Sequence, residues 1–319
     1  MNTKTKQFKL VQHTTAALGA GLIVGSALVY RFATGFSDKQ KKQGQDKSIS
    51  QNNPVDNDWF DHLNAEEWQI TTEDGLKLAA SFVQNPASTG KVVILAHGLH
   101  HSRQQVGVYA RVFYEQGYSL LMPDARAHGK SEGNVIGLGW LDRQDYLQWI
   151  HEVLKRQNED AQILLFGISM GATTVLAVSG EDLPKNVVGI IADSGYSNVF
   201  AEGKYRLRHK YHFPAVPFVA IASTISKVRD GYAFQDGDIL QQVQRNQLPL
   251  LLIHGGRDQT VPVKNVFELY HAANQPKKLY VEPTADHIES IYVNPAKYRR
   301  VVEKFLNLVD RVQESHPTA

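Results

Sequence analysis

The pentapeptide Gly167-Ile168-Ser169-Met170-Gly171 constrains the fold of this 319-residue chain more than any other feature. The apolar run Gln162–Phe166 ends directly before it, and the alanine-containing run Ala172–Val178, with helical character, follows it. Gly167 and Gly171 carry no Cβ atoms, so a strand and a helix can approach each other closely there. The pattern predicts a buried strand, a strained nucleophile elbow with Ser169 at its tip, and a helix.

Runs of branched apolar residues alternate with helical patterns through much of the chain. Several of the predicted strands are apolar at nearly every position, which is typical of strands buried on both faces of a parallel sheet. The strands are Lys91–Ala96, Tyr118–Met122, Gln162–Phe166, Val187–Ala192, Leu248–Ile253 and Lys278–Val281. The helices are Gln104–Glu115, Leu141–Arg156, Met170–Val178, Val263–Ala273 and Ala296–Val312. This alternation predicts an α/β fold, a three-layer sandwich with a mostly parallel sheet.

Two segments depart from the simple alternation. The runs Trp68–Thr72 and Leu76–Gln84 flank Glu73-Asp74-Gly75 and predict a hairpin that leads into the sheet. The stretch between Ala192 and Leu248 is far longer than a strand–helix connection needs, and it predicts a small cap insertion at about 195–246. The basic run Lys204–Lys210 within it is either a solvated helix face or a rim that attracts anionic substrates or lipid headgroups.

The N-terminal region has its own pattern. Residues 10–30 contain no Asp, Glu, Lys or Arg, and a helix of this length would be roughly 30 Å long, about one bilayer core. The sequence predicts a basic tail at 1–9, a transmembrane or signal-anchor helix at 10–30, a polar linker at 31–58 and the α/β domain at 59–319. The alternatives are a signal peptide cleaved after Gly25-Ser26-Ala27 and a buried helix.

The predicted anchor places the protein at the cell membrane, with the α/β domain outside the cell, or in the secreted fraction if the segment is cleaved. Lysines and arginines flank the segment on both sides, so the positive-inside rule does not decide its orientation cleanly. Gly21 and Gly25 form a G-x-x-x-G pattern that could pair two such helices in a homodimer.

Composition excludes several classes of function. Lys plus Arg number 34 and Asp plus Glu number 32, so the formal charge of +2 predicts no nucleic-acid partner. The chain contains no cysteine, which excludes disulfides, thiolate zinc sites, iron–sulfur clusters and cysteine nucleophiles. The pairs His100-His101 and His209/His212 lack a nearby carboxylate at a recognisable spacing, so we predict no metal and no cofactor.

A serine hydroxyl becomes a useful nucleophile when a histidine removes its proton and a carboxylate orients that histidine. Asp258 follows the predicted strand Leu248–Ile253 in a glycine-containing loop, and His287 follows the next strand. The order serine, aspartate, histidine is the one expected after an elbow of this kind. We therefore predict a Ser169–Asp258–His287 triad, with Asp193 and Asp286 as rival acids.

Acyl transfer also needs N–H donors for the developing oxyanion. His97-Gly98-Leu99 follows the strand Lys91–Ala96, so the backbone N–H groups of Leu99 and Met170 are the predicted donors. His97 itself is predicted to be a structural loop residue.

Together these motifs resemble the α/β-hydrolase superfamily. The similarity extends from roughly residue 66 to 312 and is strongest to bacterial single-domain alpha/beta hydrolases of the serine-aminopeptidase-like and esterase branch. It implies that the loop Asp124–Ser131 is structural, so that Asp124 and His128 are not catalytic. Leu99-His100-His101 departs from the H-G-G-G loop of lipase-type members, and Ser169 stands where dehalogenases and epoxide hydrolases have aspartate.

The predicted activity is hydrolysis of a carboxylic ester, thioester or amide of a small-molecule acyl substrate through a Ser169 acyl-enzyme. A serine peptidase or an acyltransferase of the same fold is the alternative within this class. From a different class, a membrane-anchored binding protein without catalysis would keep the same fold.

Overall fold

A computed structural model gives the fold. It describes the backbone of residues 3–35, 59 and 62–315, and the side chains from residue 19 onward within these ranges. Most of the predicted linker, residues 36–58, lies outside the described residues, as do the side chains of the predicted basic tail.

Eight strands form one sheet in the order β1-β2-β4-β3-β5-β6-β7-β8. Strand β2 pairs antiparallel with β1 and with β4, and every other pairing is parallel. The strands are β1 Glu66–Thr71, β2 Lys77–Val83, β3 Lys91–Ala96, β4 Ser119–Pro123, β5 Gln162–Ile168, β6 Val187–Asp193, β7 Leu250–Gly255 and β8 Lys277–Glu282. The predicted mostly parallel sheet and its leading hairpin are therefore confirmed.

Ten α-helices are described. They are α1 Thr3–Thr34, α2 Gly107–Tyr114, α3 Asp142–Arg156, α4 Met170–Val178, α5 Val199–His209, α6 Phe218–Asp230, α7 Ile239–Arg245, α8 Lys264–Ala272, α9 Ser290–Val293 and α10 Pro295–Ser315. Short 3₁₀ helices occur at Arg103–Val106 and Phe234–Asp236.

Two apolar clusters cover the two faces of the sheet, because successive residues of a strand point to opposite sides. Val92 and Ile94 of β3 pack in the cluster that contains helices α3, α4, α7 and α8. Val93 and Leu95 pack in the other cluster, with helices α2 and α10. The predicted three-layer sandwich is confirmed.

The segment between β6 and β7 divides into two parts. Helices α5 and α6 contribute Val199, Val219 and Ala222 to a separate apolar cluster away from the sheet. Helix α7 instead buries Ile239 and Val243 in the main core. The part of the predicted insertion that lies apart from the sandwich is thus α5 and α6, and its last helix belongs to the sandwich.

The N-terminal helix α1 packs its C-terminal half on α6. The Tyr30 hydroxyl donates to Asp230 at 2.8 Å, and a Cβ atom at Gly25 would lie 2.6 Å from the Phe218 ring. The helix continues to Thr34, past the predicted start of the linker at residue 31. Gly25 therefore faces α6 of the same chain, whereas nothing lies within 4 Å of a Cβ at Gly21.

The predicted membrane span, residues 10–30, falls within α1, and the side chains of residues 10–18 lie outside the described set. Among the described residues, no helix has the length and apolar character needed to cross a bilayer. A membrane-spanning helix is therefore not supported by the described part of the chain.

Candidate active site

Ser169 occupies a strained turn between β5 and α4. Its φ of 54° and ψ of −118° lie in a region that residues with a side chain rarely adopt. The Ser169 N–H donates to the Asp193 carbonyl at 2.8 Å, which ties the turn to the neighbouring strand β6. A Cβ at Gly167 would collide with the Gly171 backbone, and a Cβ at Gly171 would collide with the Ala96 carbonyl. A side chain at either position would therefore require the backbone to move.

The structure brings Ser169, His287 and Asp258 together. His287 Nε2 lies 2.8 Å from Ser169 Oγ, and His287 Nδ1 lies 2.6 Å from Asp258 Oδ2. A carboxylate can only accept a hydrogen bond, so the proton of the neutral imidazole resides on Nδ1, and Nε2 is free to accept from the serine. This arrangement can remove a proton from Ser169.

Asp258 is held firmly in a buried position after β7. Its Oδ1 accepts hydrogen bonds from the N–H groups of Thr260 and Val261, each at 2.8 Å. Burial acts to raise the pKa of Asp258, but the hydrogen bonds with His254 and His287 outweigh it and keep the pKa well below its usual range. Asp258 is therefore an ionised acceptor for the His287 Nδ1 proton.

His254 is a neighbour of Asp258 to which the sequence assigned no role. Its Nε2 bonds to the Val261 carbonyl at 2.9 Å and lies 3.3 Å from Asp258 Oδ2. The imidazole is fully buried at the end of β7. His254 is the first residue of the loop motif that contains Asp258, and this position could have indicated a supporting role.

The two rival acids lie elsewhere. Asp193 is fully buried and accepts hydrogen bonds at 3.0 Å from the Ser194 and Tyr298 hydroxyls, and burial raises its pKa despite these bonds. Asp286 is exposed, and its carboxylate makes no hydrogen bond to His287. Asp258 is thus the carboxylate that contacts the histidine ring.

The loop that carries His287 is fixed from two sides at the next residue, Ile288. The Ile288 N–H donates to Ser194 Oγ at 3.3 Å, and the Ile288 carbonyl accepts from the Tyr109 hydroxyl at 2.8 Å. Ile288 itself has a positive φ of 57°. These contacts keep the ring of His287 between Ser169 and Asp258.

The predicted oxyanion loop lies beside the nucleophile. A Cβ at Gly98 would lie 3.4 Å from Ser169 Cβ, and the Gly98 N–H donates to Gln105 Oε1 at 2.8 Å. Within residues 62–315 we find no acceptor for the N–H groups of Leu99 and Met170. Two N–H donors near Ser169 are thus available to a ligand.

Two buried histidines hold this loop. The Ala125 N–H donates to His97 Nε2 at 3.0 Å, which leaves His97 Nδ1–H to donate to the Gly98 carbonyl at 2.7 Å. Similarly, the His100 N–H donates to His128 Nε2 at 3.1 Å. Burial lowers the pKa values of both His97 and His128, so both rings are neutral. They support the loop rather than acting as bases.

The loop after β4 is a network of buried charges. Asp124 Oδ1 accepts from the Arg103 N–H at 2.8 Å, and its Oδ2 accepts from the Lys130 N–H at 2.9 Å. Arg126 Nη2 lies 2.6 Å from Asp145 Oδ1. These partners agree with the structural role that the resemblance implied for the loop.

Helix α5 covers the catalytic loops. Its Tyr205 hydroxyl donates to the carbonyl of Gln259, the residue after Asp258, at 2.9 Å. Glu202 on the same helix is buried and accepts from Arg206 Nε at 2.6 Å. Burial raises the pKa of Glu202, and the Arg206 guanidinium acts in the opposite direction.

Within the described ranges, no group of three or more acidic or histidine side chains is arranged to hold a metal ion.

The chain resembles known proteins in sequence. Residues 87–203 match the profile of a family described as serine aminopeptidase, S33. The uncharacterized protein YqkD of Bacillus subtilis (strain 168) is 29% identical over 222 residues, which cover 70% of this chain and 73% of YqkD. Probable dipeptidyl-peptidase 5 of Aspergillus niger is 21% identical over 227 residues, which cover 66% of this chain and 30% of that protein.

Solved structures share the fold. The esterase Pf2001 of Pyrococcus furiosus superposes with a TM-score of 0.63 at 28% identity, and the match covers 77% of this chain and 92% of that one. A putative aryl esterase from Burkholderia cenocepacia superposes with a TM-score of 0.54 at 18% identity, covering 76% of this chain and 99% of that one. The second similarity concerns the fold alone.

Proposed function

We propose that this chain, which belongs to the α/β-hydrolase superfamily, is a serine hydrolase that cleaves carboxylic esters through an acyl-enzyme on Ser169. The observation that carries the proposal is the continuous series of contacts from Ser169 Oγ through His287 to Asp258, with separations of 2.8 and 2.6 Å. Thioesters and amides share this acyl chemistry. The ester is our first assignment because the similar structure from Pyrococcus furiosus is an esterase.

Acylation begins when His287 Nε2 removes the Ser169 Oγ proton while Oγ forms a bond to the substrate carbonyl carbon. The carbonyl electron pair moves onto oxygen and gives a tetrahedral oxyanion. When the carbonyl reforms, the bond to the alcohol oxygen breaks, and His287 Nε2 returns its proton to that oxygen. Asp258 stabilises the imidazolium that exists between these two proton transfers.

Deacylation repeats the sequence with water. His287 Nε2 takes a proton from water as its oxygen attacks the acyl carbon, and Ser169 Oγ leaves with that proton to release the carboxylic acid. In both half-reactions the Leu99 and Met170 N–H groups are our proposed donors to the oxyanion. Their lack of an acceptor within the described chain supports this role.

The first experiment compares wild type with Ser169→Ala on a panel of p-nitrophenyl esters of different acyl lengths. We expect kcat/KM to fall by about 10⁴-fold or more, because a nucleophile without a hydroxyl forms no acyl-enzyme. Ser179→Ala is the matched control, since Ser179 Oγ donates to the Leu176 carbonyl at 2.7 Å, at the far end of α4 from Ser169. Equal rates for wild type and Ser169→Ala would contradict the proposal.

A fluorophosphonate probe separates an enzyme from a binding protein of the same fold. The Ser169 oxygen attacks phosphorus and displaces fluoride, a reaction that requires an activated serine. We expect covalent labelling that disappears in Ser169→Ala. Folded wild-type protein that resists labelling would favour the binding protein.

A peptidase is the second candidate, favoured by the match to the serine aminopeptidase family and by the buried carboxylate of Glu202 on α5. A free amino terminus needs an acidic partner, but Glu202 is already paired with Arg206 at 2.6 Å. We therefore expect aminoacyl p-nitroanilides to react no faster than their N-acetylated forms. If the forms with a free amino group react faster, and Glu202→Gln removes that preference, the chain is a peptidase.

A further inference from the structure

Helix α1 has two contrasting faces over residues 19–34. Ser26, Tyr30 and Thr34 recur every four residues and are buried, with Tyr30 bonded to α6. The helix also exposes large apolar side chains that are each between 58% and 64% accessible. Val24, Leu28 and Phe32 lie away from the buried face, and Ile23 lies about one turn before Ser26. Side chains of this size are normally buried, where each contributes about 1.5–3 kcal/mol, so four exposed ones within ten residues suggest that another surface covers them.

The exposed row continues onto the segment between α5 and α6. The Phe32 ring contacts the Tyr211 ring edge-on, with centroids 5.0 Å apart. Tyr211, Phe213 and Val216 are also exposed, as is Val228 on α6, the helix that packs against α1. We use the name apolar face for the set Ile23, Val24, Leu28, Phe32, Tyr211, Phe213, Val216 and Val228.

Basic residues lie beside the apolar face. The sequence from Gly203 to Arg229 contains no Asp or Glu, and its basic residues are Lys204, Arg206, Arg208, Lys210, Lys227 and Arg229. Arg206 and Lys227 have acidic partners in Glu202 and Asp236. Arg208 and Lys210 are exposed and form no ion pair within the described ranges. The Lys210 ammonium lies 5.6 Å from the centre of the Tyr211 ring, so charge and aromatic surface are adjacent.

We propose that the apolar face lies on the surface of a lipid bilayer that contains anionic lipids. Apolar and aromatic side chains bordered by lysines and arginines are the combination that binds in the plane of a membrane, where the rings enter the headgroup region and the cations meet lipid phosphates. A second copy of this chain fits less well. A two-fold contact would set these basic residues against their own copies, with no acidic residue from 203 to 229 to offset them.

The apolar face adjoins the helix that covers the active site. Helix α5 carries Lys204, Arg206 and Arg208, and its Tyr205 hydroxyl donates to the Gln259 carbonyl beside Asp258 at 2.9 Å. A bilayer against this region would therefore lie next to the helix that covers the catalytic loops. The inference about binding does not depend on the proposed reaction.

The test is flotation of the full-length protein with vesicles of phosphatidylcholine alone or mixed with phosphatidylserine. We expect co-flotation with the mixed vesicles, and release at about 1 M salt, where the screening length is about 3 Å.

The variant Phe32→Ser/Phe213→Ser/Val216→Ser should bind at least about tenfold more weakly. Phe267→Ser/Val293→Ser changes two exposed apolar side chains outside the face and should bind like wild type. Arg208→Ala/Lys210→Ala should reduce the preference for phosphatidylserine by roughly fivefold per charge.

Thermal unfolding of each variant establishes that it is folded, independently of catalysis. Three results would overturn the proposal: wild type that does not float, a folded triple variant that floats as well as wild type, or binding that resists salt. A wild-type dimer in ultracentrifugation that the triple variant breaks, without vesicle binding, would assign the face to a second copy instead.

Discussion

Asp258 Oδ2 lies 2.6 Å from His287 Nδ1, and the two residues follow the neighbouring parallel strands β7 and β8. Asp258→Asn keeps the shape of the side chain but can present an N–H to the ring, which would move the imidazole proton to Nε2. Nε2 could then no longer accept from Ser169. We expect kcat to fall by about 10⁴-fold with a smaller change in KM, measured on a short p-nitrophenyl ester.

The control for this change is Asp193→Asn. Asp193 is also buried at a strand end, but it bonds to Ser194 and Tyr298 rather than to the histidine. Its replacement should leave kcat within about tenfold of wild type. A larger loss of activity from Asp193→Asn than from Asp258→Asn would reverse the assignment of the acid.

Gly171→Ala tests the close approach at the elbow. A Cβ at this position would overlap the Ala96 carbonyl, a backbone atom of β3 that cannot move without distorting the sheet. We expect the free energy of unfolding to fall by about 1–3 kcal/mol or more, measured by chemical denaturation. Gly19→Ala is the matched control, because nothing lies within 4 Å of its Cβ, and there alanine should stabilise the helix by up to about 1 kcal/mol.

His128→Gln tests whether the loop after β3 is held for catalysis. The His100 N–H donates to His128 Nε2 at 3.1 Å, and glutamine could replace that acceptor only approximately. A less fixed loop would misplace the Leu99 N–H, so kcat should fall by about 10-fold to 100-fold while KM changes little. A purely structural role would lower the unfolding temperature but leave the kcat of the remaining folded protein unchanged.

Arg126→Met tests the buried charges of the loop after β4. Arg126 Nη2 lies 2.6 Å from Asp145 Oδ1, and both side chains are buried. Burial raises the pKa of Asp145 to about 6 even with Arg126 present, so loss of the guanidinium would leave an uncompensated buried carboxyl. We expect a loss of about 3–5 kcal/mol in the free energy of unfolding. Arg111→Met, which breaks an exposed pair with Glu115, should cost under about 1 kcal/mol.

Much of the fold was predictable because its signals are local. The apolar run before Ser169, the glycines around it and the loops that carry Asp258 and His287 are each continuous in sequence. The order of these elements along a parallel sheet then brings their strand ends to one edge. The order and loop position of Asp258 favoured it as the acid but could not exclude Asp193, because both lie at strand ends on that edge and only the side-chain contacts distinguish them.

The contacts that the sequence did not reveal join distant residues. Tyr30 bonds to Asp230 across 200 positions, so hydropathy alone gave no sign that one face of α1 packs on α6. The support of the loop at His97 and His100 likewise comes from Ala125 and His128, which follow a different strand. Local pattern indicates which face of an element is apolar, but it does not identify the partner.

The pH dependence of stability is expected to depend on two partly buried histidines near the catalytic loop, His100 and His101. Burial lowers the pKa of His100 to about 4 and that of His101 to about 4, while an unfolded chain has a histidine pKa of about 6.5. Between these values the unfolded state binds a proton and the native state does not. The free energy of unfolding should therefore fall as the pH is lowered from about 7 to about 4, by up to about 1.4 kcal/mol per pH unit for each such histidine.

Guanidinium unfolding at a series of pH values measures this slope. His101→Leu removes one titrating ring, whose Nδ1 is buried without a hydrogen-bond partner in the described structure. The slope of the free energy of unfolding against pH, between about pH 6 and pH 4, should therefore become shallower by up to the contribution of one proton. His151→Leu, at an exposed position on α3, is the control for the loss of an imidazole as such. If His101→Leu and wild type lose the same free energy of unfolding on acidification, protonation of His101 makes no contribution to the pH dependence. The low pKa of His101 would then not be a cause of the loss of stability in acid.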